Sequence, residues 1–201
     1  MSPTQRKRLR LILWLFISSC LIVGLILYVF SQNLNAFYTT EELETAFLNN
    51  PKIDCLGTTM NGEKFKKMFG VKFDNLTRIT PKMVLLKNFL CIQTTMIKKN
   101  VIKDIGYFYE NQFNEDSNII IRIANKYNCY LLNESYVIYI PNASGVSSRM
   151  WKMEKGELQN IKMALKMKVI KPIEFPFFVG FSLAKFCRRV IVNSFKKTCK
   201  K

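Results

Sequence analysis

Apolar and polar positions divide the start of this chain sharply. Residues 1–10 are polar and basic, with Arg6, Lys7, Arg8 and Arg10. Leu11–Phe30 then runs LILWLFISSCLIVGLILYVF, 20 residues without a charge. At about 1.5 Å per residue, a helix of that length covers roughly 30 Å, the thickness of a bilayer's hydrocarbon. Trp14 and Tyr28 stand near its two ends, where amphipathic rings prefer the interface. A signal peptide would carry a shorter apolar core and a small-residue cleavage site. Phe30-Ser31-Gln32 is a poor one. The pattern therefore predicts a retained transmembrane helix over 11–30. Basic residues precede the span, and Glu41, Glu42 and Glu44 follow it before the next cation, Lys52. That asymmetry predicts a single-pass protein of an inner or plasma membrane with its N-terminus in the cytoplasm.

Downstream the pattern is weaker. Asn49-Asn50-Pro51 ends any helix begun by Glu41–Leu48. Residues 51–80 are polar, Lys-rich and punctuated by Gly57, Gly62 and Gly70, and read as a loop with at most one short strand or helix. Met83–Asn88 reads as a short helix, Phe89–Lys98 as a strand rich in β-branched residues, and Lys99–Ile105 as a turn or helix closed by Gly106. Asn114-Glu115-Asp116-Ser117 suits a helix start, and Ile120, Ile123, Ala124 and Tyr127 share a helical face. Tyr130–Leu132 and Tyr136–Ile140 read as two strands around an Asn133-Glu134 turn. Trp151–Lys168 reads as a helix, and Pro172 and Pro176 as interruptions before an apolar and basic stretch, Phe177–Lys201.

Composition narrows the chemistry. The net charge is +17, and all 14 acidic residues lie after the apolar span. Such a surface favours anionic partners: lipid headgroups, nucleotide phosphates or nucleic acid. Scattered rather than striped Lys residues are equally what solubility alone requires, and a nucleic-acid partner is not expected. There is no His, and none of the six cysteines forms a C-x-x-C pair. Zinc sites with mixed Cys and His ligands, His-based catalysis and His ligation of haem are excluded. The wide cysteine spacing reads as isolated buried thiols. The tail from Ile173 mixes Phe175, Phe177, Phe178, Phe181 and Phe186 with Lys185, Arg188, Arg189, Lys196 and Lys197. It suits either a membrane surface or a helix packed on its own domain.

Two family resemblances follow. The first rests on Ser2-Pro3, Gln5-Arg6-Lys7-Arg8-Leu9, Gly24-Leu25, Leu27-Tyr28, Asn33-Leu34-Asn35-Ala36-Phe37-Tyr38-Thr39 and Glu42-Leu43. Residues 1–45 resemble the anchor of the cytochrome c maturation haem chaperone CcmE. Thr40 stands where that family usually has Pro. The resemblance implies membrane lipids and the cytochrome c maturation complex as partners. It stops before the family's OB-type barrel. That family carries haem covalently on a His, which this chain lacks, so haem is not expected.

The second resemblance covers about residues 80–168. Its motifs are Thr94-Thr95-Met96-Ile97-Lys98-Lys99, Gly106-Tyr107-Phe108-Tyr109-Glu110, the pair Glu115-Asp116 followed by Ile121-Arg122-Ile123-Ala124, and Tyr136–Ile140 before a Ser144–Ser148 loop. In this order they resemble the C-terminal half of a family 2 glycosyltransferase. That implies a partial GT-A-like α/β half-domain, with Asp116 as catalytic base beside Glu115. An inverting transfer needs a carboxylate to take the acceptor's hydroxyl proton. Helix capping is the bland alternative for Asp116. A nucleotide sugar and a divalent metal are the implied cofactors. Yet the four aspartates, Asp54, Asp74, Asp104 and Asp116, give no Asp-x-Asp pair, and the nucleotide-binding half is missing.

The expected organisation is thus a basic N-terminus (1–10), a transmembrane helix (11–30), a CcmE-like exit and irregular junction (31–80), a glycosyltransferase-like half (81–170) and a basic amphipathic tail (171–201). The two parts conflict in space. The anchor sends the downstream chain outside, whereas nucleotide sugars are cytoplasmic. The chain reads as a hybrid, either a truncated glycosyltransferase-like protein, a CcmE-type biogenesis protein without its haem-binding His, or a non-catalytic membrane protein.

Overall fold

The computed structural model describes residues 41–109, 113–138 and 149–198, with side chains up to residue 193. The chain divides into two compact units, Met1–Ala46 and Phe47–Lys201. Residues 41–48 are helical (α1) and the helix ends at Asn49-Asn50-Pro51, as the proline requires.

The centre of the second unit is a four-stranded mixed sheet, ordered β4-β6-β1-β5. Strand β1 (Cys55–Thr59) is buried at every residue. It lies parallel to β6 (Cys129–Ser135) and antiparallel to β5 (Cys91–Ile97), and β4 (Leu76–Arg78) runs antiparallel to β6. A small hairpin, β2 (Lys67–Met68) and β3 (Val71–Lys72), stands apart. Its turn places Phe69 at φ 50 and Gly70 at φ 78. Two consecutive positive φ values match the right-handed strand twist, and Gly70 supplies one without penalty. Phe69 takes the other against its steric preference.

The helices form where caps and periodicity meet. Thr80 caps α2 (Pro81–Leu86), accepting from the Met83 amide, with Pro81 at the first helical position. Helix α3 (Lys99–Asp104) follows β5. Helix α4 (Glu115–Lys126) buries Ile119, Ile120, Ile121 and Ile123, carries Glu115 and Asp116 in its first turn and Lys126 in its last. Helices α5 (Met150–Lys166) and α6 (Phe175–Thr198) pack on each other, joined by a 3-10 turn at Pro172–Glu174. One continuous core joins the sheet to α2, α4, α5 and α6, with Phe65, Phe73 and Phe89 as a ring cluster at centroid distances of 5.1–5.4 Å.

Mixed α/β architecture accords with the sequence; other expectations are corrected. The fold class of a half-domain behind one transmembrane helix, and the single-pass membrane localisation, are overturned to this extent: among the described residues no helix is long and apolar enough to cross a membrane. The expected span itself, 11–30, lies outside the described residues. Helix α6 has the length, 24 residues, but carries Lys185, Arg188 and Arg189 and packs on α5. Residues 51–80 hold four strands rather than a loop, because sheet pairing buries even Gly57, Thr58 and Thr59. Tyr130 and Leu132 belong to one uninterrupted strand. Asn133, expected to turn, is buried in β6 and clamps Phe65, accepting from its amide (2.9 Å) and donating to its carbonyl (2.7 Å). Residues 136–138 are not a strand, and 139–148 lie outside the described residues. Pro176 starts α6 rather than interrupting it.

Candidate functional site

Chemistry-bearing residues gather around the first turn of α4. Asn114 precedes it in the left-handed region (φ 59) and makes no side-chain capping bond to the helix backbone. Instead its carbonyl accepts from Asn160 of α5 (3.1 Å) and its side chain accepts from the Ser117 hydroxyl (2.9 Å). Asn160 also accepts from Asn118 (2.8 Å), and Asn118 in turn accepts from Arg122 Nε (2.9 Å). Arg122 is buried and spends its other donors on the carbonyls of Ile105 and Tyr107, with its guanidinium 4.1 Å from the Tyr109 ring. One chain of hydrogen bonds thus fixes the Ile105–Tyr109 loop, the start of α4 and α5 together. A close backbone approach completes it: a Cβ on Gly156 would lie 2.1 Å from the Phe113 carbonyl oxygen.

Asp116 sits inside this frame, half-buried, and Glu115 beside it is exposed. Burial, with the Glu115 charge adding to it, pushes the Asp116 carboxyl above its ordinary value. Among the described residues the Asp116 carboxylate makes no hydrogen bond or ion pair, so it is not a capping group.

The other expected motif residues have structural partners. Thr58 and Thr94 share a hydrogen bond (2.6 Å), and Thr94 and Thr95 both donate to the Cys91 carbonyl. Lys98 pairs with Asp54 (2.9 Å). Burial pushes the Asp54 carboxyl up, but the Asn128 amide and Lys98 outweigh it and hold it below the usual range. Glu110 and Ser144–Ser148 lie outside the described residues. No group of three or more Cys, Asp or Glu side chains that could hold a metal ion exists among the described residues, so the implied divalent metal finds no site there.

Next to Asp116, but not including it, opens a cleft of about 560 Å³. Asn114 and Ser117 line it at the start of α4, Leu85 and Ile121 add apolar side chains, and Phe69 and Phe181 add aromatic rings. Lys87, Lys185, Arg188 and Arg189 line it as well, with Glu157 the one carboxylate. The α5–α6 seam, which contributes Glu157, Lys185 and Arg189 to the cleft, is ionic: Glu154 accepts from Ser182 (2.8 Å) and Arg189 (3.0 Å), and Glu157 pairs with Arg189 and Lys185. The sequence hinted at Asp116 through its motif. Arg122 stands in the same motif, but its buried bonds, and the roles of Asn118 and Asn160, are not apparent there; the available signal is a polar pair at i, i+4, Asn118 and Arg122, on an otherwise apolar face.

No family profile matches the chain, and no solved structure does. A stretch of 43 residues, 21% of the chain, is 51% identical to the cytochrome c-type biogenesis protein CcmE of Aliivibrio fischeri (strain MJ11). Over the same length the identity is 49% to CcmE of Aliivibrio salmonicida and 44% to that of Vibrio parahaemolyticus. This stretch is CcmE-like. It supports the resemblance read in residues 1–45 and does not bear on the domain with Asp116. The chain spans 27–30% of these relatives' length.

Proposed function

We propose that the described domain acts in glycosyl transfer, with Asp116 as the base. In this reading the acceptor oxygen attacks the sugar's anomeric carbon, and the bond from that carbon to the nucleotide's phosphate breaks. The nucleoside diphosphate leaves, and the hydroxyl proton passes to Asp116. The observation carrying the proposal is the Asp116 carboxylate, half-buried, raised in pKa and unengaged among the described residues. An acidic residue in a helix's first turn interacts favourably with the helix dipole whether or not it bonds an amide, but the burial that raises the Asp116 pKa works against that purely structural role. Perturbed carboxylates held in a rigid polar frame cluster at functional sites. The test is release of nucleoside diphosphate from nucleotide sugars by the full chain, beside Asp116→Asn. Turnover by the parent that falls at least about 100-fold in the variant, with unfolding unchanged or strengthened, supports the reading. Absence of both turnover and binding at millimolar donor removes it.

A second reading belongs to the CcmE-like stretch. We infer from its 51% identity a part in cytochrome c-type biogenesis, with the cytochrome c maturation complex as partner. Affinity capture of the tagged chain, with residues 1–45 intact or replaced, tests it. Maturation proteins retained only by the intact form are expected, and an unchanged set of captured proteins refutes it.

A further inference from the structure

The cleft beside α4 holds a second kind of chemistry that proton transfer at Asp116 does not use. Along α6, Phe177, Phe181, Lys185 and Arg188 follow one another at spacings of four, four and three residues, so they form one stripe on the helix. The stripe is aromatic at its N-terminal half and cationic at its C-terminal half. Its length, from the helical rise, is about 16 Å. Phe181 is the pivot: Phe177 stacks on it at 6.2 Å, Phe69 of the hairpin turn meets it edge-on at 5.9 Å, and Lys185 lies over it. Phe69 and Phe177 are exposed, as is Ile173 one turn earlier. Grouped with Phe181, these side chains form a candidate binding surface rather than scattered exposed residues.

The cationic end is not fully neutralised from within. Lys87 has Glu63, Lys185 pairs with Glu157 and donates to the Leu86 carbonyl, and Arg189 reaches both Glu154 and Glu157. Arg188 is exposed and makes no hydrogen bond or ion pair among the described residues. We propose that this cleft, continued outward by the Phe177 ring stacked on Phe181, is a binding site for a phosphate-bearing amphiphile, its apolar chain along Phe69, Phe181 and Phe177 and its phosphate at Arg188 and Lys185. A free anion would have no use for the aromatic half, and a neutral apolar ligand none for the cations. The volume of about 560 Å³ suits such a molecule.

The site stands apart from glycosyl transfer, since Asp116 is outside the cleft. Binding of dodecyl phosphate to the full chain, below its micelle concentration, is measured by calorimetry beside dodecyl maltoside and inorganic phosphate. Saturable binding is expected at least about tenfold tighter than for either control, weakening as salt rises from about 50 to 300 mM. Arg188→Glu and Phe177→Ser, both at exposed positions, should each weaken it by about fivefold or more, and Asp116→Asn should leave it unchanged. Equal binding of dodecyl maltoside, equal binding of inorganic phosphate, or wild-type affinity in both the Arg188 and Phe177 variants overturns the proposal.

Discussion

Gly156 and Gly180 offer the same substitution with opposite expected signs. Both lie inside helices, α5 and α6. Alanine is intrinsically better than glycine in a helix interior by about 0.8–1.0 kcal/mol, mainly through backbone entropy. At Gly180 a Cβ would meet nothing within 4 Å, so that gain should appear in full. At Gly156 it would lie 2.1 Å from the carbonyl oxygen of Phe113 and 2.6 Å from its carbonyl carbon. These are backbone atoms, so no side-chain rotation relieves the clash. Either α5 or the Phe113–Asn114 backbone must move, and overpacking of this kind costs typically 1–3 kcal/mol. With immovable atoms the upper half of that range applies, and subtracting the propensity gain leaves Gly156→Ala destabilised by about 1–2 kcal/mol. Urea unfolding followed by far-ultraviolet circular dichroism, with the slopes compared to verify that only stability changed, measures both. The reasoning fails if Gly156→Ala is as stable as the parent, or if the two variants shift in the same direction.

Other outcomes follow from the same frame. Arg122→Met leaves the carbonyls of Ile105 and Tyr107 and the Asn118 side chain without their donor, and should destabilise by about 3 kcal/mol with faster proteolysis at the 105–109 loop. Asp116→Asn should stabilise the protein. A carboxyl whose pKa is raised on folding favours the folded state most at low pH and loses that contribution as pH rises through its folded value. The advantage of the variant, read from melting temperatures across pH, should therefore grow from acid to neutral pH. Asp54→Asn should behave in the opposite way, since its pKa is lowered on folding: a loss of stability present at neutral pH that fades as pH falls. Asn133→Ala strands the Phe65 amide and carbonyl inside the core, and should lower stability by about 1–3 kcal/mol in urea titrations.

The elements that sequence alone revealed are those whose signals are local. Acidic Glu115-Asp116 marks the start of α4 and β-branched residues mark β5, each read within a few positions, whereas the helix expected over Met83–Asn88 forms two residues earlier, at Pro81–Leu86, where Thr80 caps it. Strand β1 cannot. Its CLGTT has a glycine and two threonines, and its burial comes from being flanked by β5 and β6, segments far along the chain. Strands β2, β3 and β4 are two or three residues long with outward lysines or arginine, so they leave no alternation to detect. Asn133 looked like a turn residue because its partner, Phe65, is distant. The site divides in the same way. Asp116 was legible in a motif, and its freedom from capping was not. The cleft is assembled from the hairpin, α2, α4, α5 and α6, and no window of sequence contains it.

The position of β1 also bears on synthesis. Among the described strands it is the first to leave the ribosome, yet its parallel neighbour, beginning at Cys129 opposite Cys55, is the last. Translation at roughly 5–20 residues per second separates the two by about 4–15 s. For that interval the innermost strand waits with half of its pairing groups unmet, guarded on the other side by β5 at best. Folding of this sheet is therefore closed by its last strand, and a ribosome pausing between β5 and β6 would hold the chain at its most aggregation-exposed stage.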